Sequence, residues 1–433
     1  MNRKEEYKKL IWIIAIFLAA FYLPIGNSRF IQAIYEALSL VKWYAREHVL
    51  LCLIPAFFIA GVISVFISQA AVIKYLGAKA KKLPAYLVAS ISGTILAVCS
   101  CTILPLFSGI YKRGAGLGPA IAFLYSGPAI NILAIILTAR ILGAELGIAR
   151  IIGAVIFSVA IGFTMHLIYR KEETEKADAQ LAMPEPEISR PLWRTAIHFF
   201  ILVLILIFAN WGKTNAGSGV WHFLYSSKWL ITGFFGIGLG LSLVFIIKIR
   251  LQRVILSVIP VILSAILFPA SPIITFTVAV TSLSILISNT PGEASEWMES
   301  SWGFAKQILP LLAIGVLIAG FLLGGPENGQ GIIPNNWISG LVGGNSLFAN
   351  FFASIAGAFM YFATLTEVPI LQGLIANGMG KGPALALLLA GPALSLPNML
   401  VIRSVIGTQK TVVYVSLVVI MATITGMIYG RLF

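Results

Sequence analysis

Charged residues are scarce in this chain. Asp, Glu, Lys and Arg make up 11% of its 433 residues and 59% are hydrophobic, whereas about 25% of a soluble domain is charged. A water-soluble fold cannot bury that much apolar surface, because surface area falls too slowly relative to volume as a chain grows. Apolar stretches of about 20 residues recur along the whole length, and each can cross a bilayer as a helix. The composition therefore predicts a polytopic membrane protein.

Cysteine is also rare, with only Cys52, Cys99 and Cys101 in the chain. Three cysteines are too few for a disulfide framework, and cysteines two residues apart rarely have the geometry for a bridge. All three lie in or beside apolar segments, so we interpret them as free thiols. The apolar segments do not alternate with polar residues, which argues against a β-barrel.

Acidic residues are few compared with basic ones: 16 Asp and Glu against 30 Lys and Arg, a formal net charge of +14. In a soluble protein this balance would suggest nucleic acid as a partner. Here the basic residues sit between apolar segments, where they set topology and contact anionic lipid headgroups, so no nucleic acid is expected. The basic cluster before residue 10 predicts a cytoplasmic N-terminus in the inner (plasma) membrane.

Hydropathy divides the chain into spanning segments and two interrupted apolar stretches. The predicted spans are residues 10–25, 48–68, 118–139, 147–169, 192–211, 229–248, 254–269, 272–289, 307–324, 382–402 and 410–430. The interrupted stretches are 84–111 and 347–377. We therefore expect an N-terminal membrane helix and an interfacial helix (1–46), a first repeat (47–170), a hydrophilic linker (171–191), additional membrane helices (192–301) and a second repeat (302–433).

An internal repeat is the strongest signal after hydropathy. The constant shift that carries Ala89 onto Ala353 overlays the chain on itself without a gap from Leu83 to the C-terminus. The loop before the first interrupted stretch holds four lysines, whereas its counterpart, residues 325–344, holds none. The positive-inside rule places these two loops on opposite sides. The predicted fold class is an all-α polytopic membrane protein with two inverted-topology repeats.

Each repeat is expected to contain a broken or re-entrant helical hairpin. If residues 84–111 enter and return on one face, the basic residues that follow fall on the cytoplasmic side, while Arg140 and Arg150 fall outside. About 15 residues run in and about 10 run out, roughly half a bilayer each way. A full crossing with a break in mid-helix is the alternative.

The first interrupted stretch contains Cys99, Ser100, Cys101 and Thr102, followed by Pro105. Proline removes a backbone donor and clashes with the preceding turn, so a helix break is expected near Cys101. Unpaired backbone is tolerated at membrane depth only inside protein or beside a water-filled cavity. Thiolates at such a place favour soft species such as Cu(I), Zn(II) and trivalent arsenic or antimony. The alternative is that the cysteines only pack, as buried cysteines often do.

The repeat places Thr364, Thr366, Glu367 and Pro369 in the second interrupted stretch. Glu367 falls opposite Ile103, and an acid at that depth costs on the order of 3 kcal/mol or more, so it needs a role or a partner. We interpret Glu367 as a proton-coupling residue and the two threonines as substrate-binding hydroxyls. The alternative is a carboxylate that caps local backbone donors.

Gly-Pro pairs occur in mid-membrane in both repeats. Gly-Pro kinks a helix and frees carbonyl groups, and nearby polar residues can bind substrate or satisfy those carbonyls. The candidates are Gly127, Pro128 and Asn131 in the first repeat, and Gly391, Pro392, Ser395 and Asn398 in the second. Helix packing alone is the alternative.

Cys52 lies in the helix before the first interrupted stretch. A third thiol could complete a three-sulfur site for a trivalent ion, although a buried cysteine also packs without any further role. The sequence contains no metalloprotease, hydrolase or phosphate-binding motif. No cofactor, permanent metal or catalytic residue is therefore expected.

The runs Cys99–Leu106, Tyr111–Gly118 and Ser126–Asn131 resemble the predicted permease family of ArsP-type transporters. The resemblance covers both repeats and implies an inner-membrane permease in which Cys99 and Cys101 correspond to the family's paired cysteines. Some relatives export trivalent organoarsenicals or related toxic metal species. The chain departs from the family's short form by extra helices at its N-terminus and between the repeats.

We therefore predict a secondary-active efflux permease for a soft, thiophilic solute, a trivalent arsenical or a related metalloid or heavy metal, with proton coupling. The expected partners are a small-molecule or ion substrate and the lipid bilayer, and the oligomeric state is open. Two alternatives remain: a membrane thiol-redox enzyme that uses Cys99 and Cys101, and a permease for an unrelated small metabolite. The lack of a haem, flavin or quinone signature argues against the enzyme.

Overall fold

Every regular element in the described part of the chain is a helix. The computed structural model describes residues 20–67, 69–77, 80–95, 100–130, 132–181, 191–212, 219–324, 331–333, 340–359, 367–376 and 378–433, together with positions 7, 10, 13, 14, 17 and 18. Part of the first predicted span and part of the hydrophilic linker lie outside these residues.

The helices follow one another with short connections. The N-terminal part contains α1 (Ser28–Tyr44), the π-helix Ala45–Leu53, α2 (Ile54–Phe66) and α3 (Gln69–Leu76). Next come α4 (Lys82–Ile95), α5 (Ser100–Lys112), α6 (Leu117–Ala129), α7 (Ile132–Ile141) and α8 (Ala144–Ile168). The middle of the chain forms α9 (Arg170–Leu181), α10 (Leu192–Ala209), α11 (Val220–Ser226), α12 (Lys228–Phe245), α13 (Leu251–Leu267), α14 (Pro272–Ser288) and α15 (Glu293–Leu323). The C-terminal part forms α16 (Leu347–Phe359), α17 (Glu367–Ala376), α18 (Lys381–Leu394), α19 (Leu396–Ile406) and α20 (Thr408–Leu432).

Several of these helices are long and apolar enough to cross a membrane. Within the described residues they are Ser28–Phe66, α8, α12, α15 and α20, and the bent pair α18–α19 makes a sixth if it is counted as one span. The predicted spans 118–139 and 382–402 are each divided into two helices. The second division has an angle of 48°, as expected where Gly-Pro interrupts a helix. The chain is therefore an all-helical, multi-pass membrane protein.

Two groups of five helices correspond at the constant shift found in the sequence. The first group is α4–α8 and the second is α16–α20, and their starts and ends agree to within three residues. Gly114 and Gly378, which precede α6 and α18, have the same φ of 97°. The repeat in the sequence is thus also a repeat of helix order and of break positions.

A close glycine contact occurs at equivalent places in the two groups. A Cβ on Gly118 of α6 would lie 2.8 Å from the carbonyl oxygen of Gly162 of α8, and a Cβ on Gly382 of α18 would lie 2.6 Å from that of Gly426 of α20. Only a residue without Cβ permits this approach of two backbones. The matched glycines therefore set how tightly α6 packs on α8 and α18 on α20.

The start of α4 and the end of α5 lie at the same end of α8. Near the start of α4, the Tyr86 hydroxyl donates to the Gly162 carbonyl at 3.2 Å. At the end of α5, the Tyr111 hydroxyl donates to the Glu173 carboxylate at 3.0 Å, and Glu173 follows α8 by a few residues. With 14 and 13 residues, α4 and α5 are each about 20 Å long, which is shorter than the hydrocarbon core.

The corresponding ends also meet in the second group. Gly343, before α16, pairs with Met379, after α17, in an isolated antiparallel bridge. The side-chain amide of Asn345 donates to the Met427 carbonyl near the end of α20 at 3.2 Å. The chain that leads into α16 and the chain that leaves α17 therefore lie at one end of α20.

The start of α20 lies against the end of α8, although these two helices are equivalents. Lys410 is the third residue of α20, and its ammonium lies 2.6 Å from Glu172 and 3.2 Å from Glu173. Both glutamates belong to α9, in the stretch expected to be a linker. The two long helices, 25 residues each, also pack against each other.

The remaining helices pack against one another and against this core. α15 packs against α1, α2 and α19, and α2 packs against α5. α10 joins α2 and α12, and α13 pairs with α14. Large apolar side chains on α12 and α13 are exposed, among them Phe234, Ile237, Leu256 and Ile266, as suits a surface in contact with lipid. The stretch expected to be an interfacial helix, residues 30–46, continues through the π-helix into α2 without interruption, and an interfacial position stays a prediction.

Candidate functional site

The first break brings a thiol and a hydroxyl together. Cys52, in the π-helix, is buried, and its Sγ lies 2.8 Å from Oγ1 of Thr102, which is also buried. Thr102 is the third residue of α5, so it follows Cys101 directly in the first turn. π-helical turns are rare and occur frequently at functional sites. The cysteine that the sequence predicts as a third thiol therefore contacts the first turn of α5, which begins with Ser100 and Cys101.

Pro105 lies inside α5, as its sixth residue. Proline has no N–H, so it cannot bond the carbonyl four residues earlier, which is that of Cys101. Pro369 is the third residue of α17, where proline is tolerated because the first-turn N–H groups have no intrahelical partner. Both prolines thus lie close to the start of the helix that follows a break.

The second break places a buried acid beside a buried base. Glu367, the first residue of α17, is 1% exposed, and its Oε2 accepts from Nη2 of Arg150 at 3.1 Å. Arg150 is 0% exposed and lies on α8. Its Nη1 donates to the Thr138 hydroxyl of α7 at 2.9 Å. The predicted carboxylate therefore has a charged partner, contributed by the other repeat.

The two breaks are linked by reciprocal packing. α5 of the first group packs against α19 of the second, and α17 of the second packs against α7 of the first. Between them, the Tyr125 hydroxyl of α6 donates to the Leu389 carbonyl of α18 at 2.8 Å. These two residues occupy equivalent positions in the repeats. The two groups are therefore in contact at a pair of equivalent residues.

Polar side chains follow the second Gly-Pro pair. Gly127 and Pro128 close α6, and Gly391 and Pro392 lie in the last turn of α18. Ser395 and Asn398 are both buried, and within the described residues Oγ of Ser395 and Oδ1 of Asn398 have no hydrogen-bond partner. A buried polar atom without a partner is costly, so these atoms are available to a ligand or to water.

Four of the sequence-predicted site residues, Cys99, Asn131, Thr364 and Thr366, lie outside the described residues. The side chains of Ser100, Cys101 and Pro369 also lie outside them, although their backbone is described. The structure therefore places Cys52 and Thr102 together at one break, Glu367 at the other, and Ser395 and Asn398 in the helix pair that packs against α5.

Arg150 was not among the predicted site residues. The sequence assigned it to the outer face as a topology residue, near the start of the predicted span 147–169. The structure buries it completely and pairs it with Glu367. A basic residue inside an apolar span was the available signal, because an intramembrane charge needs a partner.

Glu173 is a second residue that sequence reasoning missed. Its buried carboxylate accepts from the Tyr111 hydroxyl at 3.0 Å, from the Leu117 N–H at 3.0 Å and from Lys410 at 3.2 Å. The Lys176 ammonium lies 3.8 Å above the Tyr111 ring. Burial lowers the pKa of Lys176, and the charge of Glu173 opposes that shift. Glu173 thus ties the end of α5, the start of α6 and the start of α20 to α9.

At the other end of the core, the position equivalent to Leu117 makes only a weak contact. Lys381 at the start of α18 corresponds to Leu117, and its ammonium lies 3.7 Å from Glu145 at the start of α8, with both side chains more than half exposed. An exposed pair of this kind contributes little to stability. The two ends of the helical core are therefore closed by contacts of different strength.

Comparison with known proteins shows the family of this chain. A family model described as a predicted permease, of ArsP type, matches residues 34–431. The chain belongs to the ArsP-type predicted permease family. UPF0718 protein MJ0584 of Methanocaldococcus jannaschii is 41% identical over 389 residues, which cover 89% of this chain and 93% of that protein. UPF0718 protein YraQ of Escherichia coli is 28% identical over 138 residues, 31% of this chain and 36% of that protein. No solved structure matches the chain.

Membership in this permease family agrees with the candidate membrane spans. The protein is therefore a multi-pass membrane permease with a small-molecule substrate, and its family favours transport over catalysis.

Proposed function

We propose that this ArsP-type permease is a secondary-active efflux permease for a soft, thiophilic solute, with trivalent arsenicals and related metalloids as its substrate class. The observation that carries the proposal is the 2.8 Å contact between Sγ of Cys52 and Oγ1 of Thr102. This contact places the thiol of Cys52 against the first turn of α5. Cys101 belongs to that turn, and Cys99 precedes the helix in the sequence. Cys99 and Cys101 flank Ser100 in the sequence, and thiols are the ligands that soft ions prefer.

The two repeats have inverted topology in this proposal. α8 and α20 are equivalents and are each long enough to span the membrane, and the start of α20 lies against the chain that leaves α8 through Lys410 and Glu173. Helices in this relation run in opposite directions. The lysine-rich loop before α4 then places the end of α8 on the cytoplasmic side of the plasma membrane, together with the N-terminus.

The interrupted stretches are re-entrant hairpins in this proposal. α4 and α5 are each too short to span; the start of α4 contacts α8 at Gly162, and the end of α5 contacts Glu173, which follows α8 by a few residues. The bridge between Gly343 and Met379 supports a second hairpin from the opposite face. Such hairpins obey the rule that irregular backbone at membrane depth must be enclosed in protein or hydrated.

Glu367 couples proton movement to transport in this mechanism. It is a buried carboxylate at the second break, where the sequence also supplies Thr364 and Thr366. Uptake of a proton by Glu367 in one half of the cycle and its release in the other would link export to the proton gradient. Thr102, Asn131, Ser395 and Asn398 contribute hydroxyl and amide groups to the solute site.

Arsenical export is tested by expressing the protein in an arsenic-sensitive bacterial strain and challenging the cells with methylarsenite. The wild type should restore growth. Cys99→Ala and Cys101→Ala should abolish resistance, and Cys52→Ala should reduce it, because each removes one soft ligand. Ser108→Ala is the matched control, since this buried hydroxyl lies on the same helix, α5.

Equal protein abundance in the membrane must be established for each variant by immunoblot. Resistance that survives in Cys99→Ala or Cys101→Ala would contradict the thiol site. Transport of an unrelated metabolite by a cysteine-free variant would show that the cysteines only pack.

A further inference from the structure

The ion pair at the second break joins the two repeats. Arg150 belongs to α8 of the first repeat, and Glu367 opens α17 of the second. The atoms in contact, Nη2 and Oε2, are 3.1 Å apart, and both side chains are almost completely buried. Any movement of one repeat against the other in this region therefore changes this contact.

Within the described residues, one hydrogen bond joins the two members of the pair, and a second joins Arg150 to Thr138. Arg150 Nη2 meets Glu367, and Nη1 meets Thr138. Nε of Arg150 and Oε1 of Glu367 are buried and have no hydrogen-bond partner within the described residues. A buried arginine–carboxylate pair is most stable when it is bidentate and every polar atom is satisfied. Because only one contact, between Nη2 and Oε2, joins the two side chains, we interpret the pair as one that can separate during transport.

Few other titratable groups face the pair. Among the described side chains, Tyr125 on α6 interacts electrostatically with both Arg150 and Glu367, and also with Tyr414 on α20. A phenol is neutral at physiological pH, whereas a guanidinium is always charged in proteins. The charge that favours the carboxylate form of Glu367 is therefore that of Arg150.

We propose that Arg150 is the positioning residue that drives the release of a proton from Glu367. The proposal rests on the proposed function, in which Glu367 carries the coupling proton. When the repeats hold α8 and α17 apart, Glu367 binds a proton as a neutral acid. When they bring the two helices together, the guanidinium replaces that proton as the partner of the carboxylate, and the proton passes to water. In this structure the two helices are together, with Nη2 of Arg150 3.1 Å from Oε2 of Glu367.

The first test follows the protonation of Glu367 directly. Infrared difference spectra of the purified full-length protein, recorded over a pH titration, identify its carboxylic acid band as the band that is absent in Glu367→Gln. In Arg150→Gln the acid band should persist to higher pH than in the wild type, because the stabilising cation is gone. Arg140→Gln is the matched control, since Arg140 is an exposed arginine on α7, and it should leave the band unchanged.

The same titration decides against the proposal if the band disappears at the same pH in the wild type and in Arg150→Gln. If Arg150→Gln does not fold, Arg150→Lys is measured in its place. The shorter, non-planar cation cannot keep both the Thr138 and the Glu367 contacts, so the band should shift in the same direction by less. An unshifted band in Arg150→Lys would then overturn the proposal.

The second test separates proton release from solute movement. Proteoliposomes loaded with methylarsenite are assayed for net efflux driven by a pH gradient and for exchange at equilibrium, which needs no proton release. Arg150→Gln should lose net efflux by about 5- to 150-fold, the usual range of a coupling between sites, and should keep exchange. Equal loss of both activities would indicate a structural role only.

Failure of the proposed function is distinguishable from failure of this inference. If the wild type does not move methylarsenite, the substrate assignment is wrong, and the infrared titration alone decides the role of Arg150. If methylarsenite moves in a thiol-dependent manner but the variant keeps both its net efflux and its acid band, the role of Arg150 is wrong.

Discussion

The two helix breaks occupy equivalent positions in the repeats and carry different chemistry. At the shift that carries Ala89 onto Ala353, Ile103 corresponds to Glu367, and Arg150 corresponds to Tyr414. At the first break, Ile103 packs against Gly127, and the polar contact is the thiol of Cys52. At the second break, Glu367, the equivalent of Ile103, forms an ion pair with Arg150 of the first repeat. The repeat therefore determines where the chain breaks, and single residues determine whether a break presents soft ligands or charge.

The largest expected effect comes from removing one partner of the ion pair. Glu367→Ala or Arg150→Ala should each lower the free energy of unfolding by about 3–5 kcal/mol, because a charge is left buried alone. The double variant Arg150→Met/Glu367→Met should recover most of this loss. The measurement is denaturant-induced unfolding in detergent, and the equivalent variant Tyr414→Phe should cost no more than about 1 kcal/mol. If Tyr414→Phe and Arg150→Ala lowered the free energy of unfolding by similar amounts, the ion pair would not distinguish the second break from the first.

Glu173→Gln sharpens the comparison at the two ends of the core. The loss of charge weakens three hydrogen bonds, so unfolding should become easier by about 1.5–3 kcal/mol. Glu145→Gln, at the equivalent exposed pair, should change stability by only about 0–1 kcal/mol. Both values come from the same unfolding assay. Equal effects would mean that the two ends are closed with equal strength.

Gly382→Ala tests the close packing of α18 on α20. The new Cβ would lie 2.6 Å from the Gly426 carbonyl oxygen, and such overpacking typically costs about 1–3 kcal/mol. Gly118→Ala, with 2.8 Å to the Gly162 carbonyl oxygen, should cost a similar amount. Gly240→Ala is the control, because no atom lies within 4 Å of its added Cβ, and it should be neutral or stabilising. Thermal unfolding of the three variants in detergent decides this point.

The smallest expected effect is at the thiol contact. Thr102→Val removes the hydroxyl that meets Cys52 and should cost about 1 kcal/mol, the net contribution of a typical hydrogen bond. The unfolding midpoint in denaturant measures it, with Ser108→Ala on the same helix as the control. A loss as large as that of Glu367→Ala would show that the first break is no less constrained than the second.

Much of the fold followed from the sequence. Continuous apolar segments predicted membrane helices, and the matched order of glycines and prolines predicted the repeat, although each of the predicted spans 118–139 and 382–402 is two helices in the structure. Glu367 and Cys52 were nominated because a carboxylate and a third thiol are unusual at these places. Arg150 was assigned to a membrane face instead, because an arginine near the end of an apolar span is equally compatible with a boundary and with a buried pair.

The hydrophilic stretch after α8 shows the same limit of pattern reasoning. Its composition predicts a hydrophilic linker, and Lys171, Glu172 and Glu175 are exposed, as expected for one. Glu173 is the exception, since the starts of α6 and α20 enclose its carboxylate. No local pattern distinguishes it from Glu172, because the difference lies in which helix ends surround it.

The sequence by itself determined the membrane environment, the helical class and the repeat of helix order, because hydropathy and helix-breaking residues act locally. The tertiary structure decided which side chains meet at each break. Arg150 and Glu367 are far apart in the sequence, at a separation of 217, and Cys52 and Thr102 are at a separation of 50. Contacts between residues so distant along the chain depend on how two repeats pack against each other, and that packing is decided by the whole set of helices together.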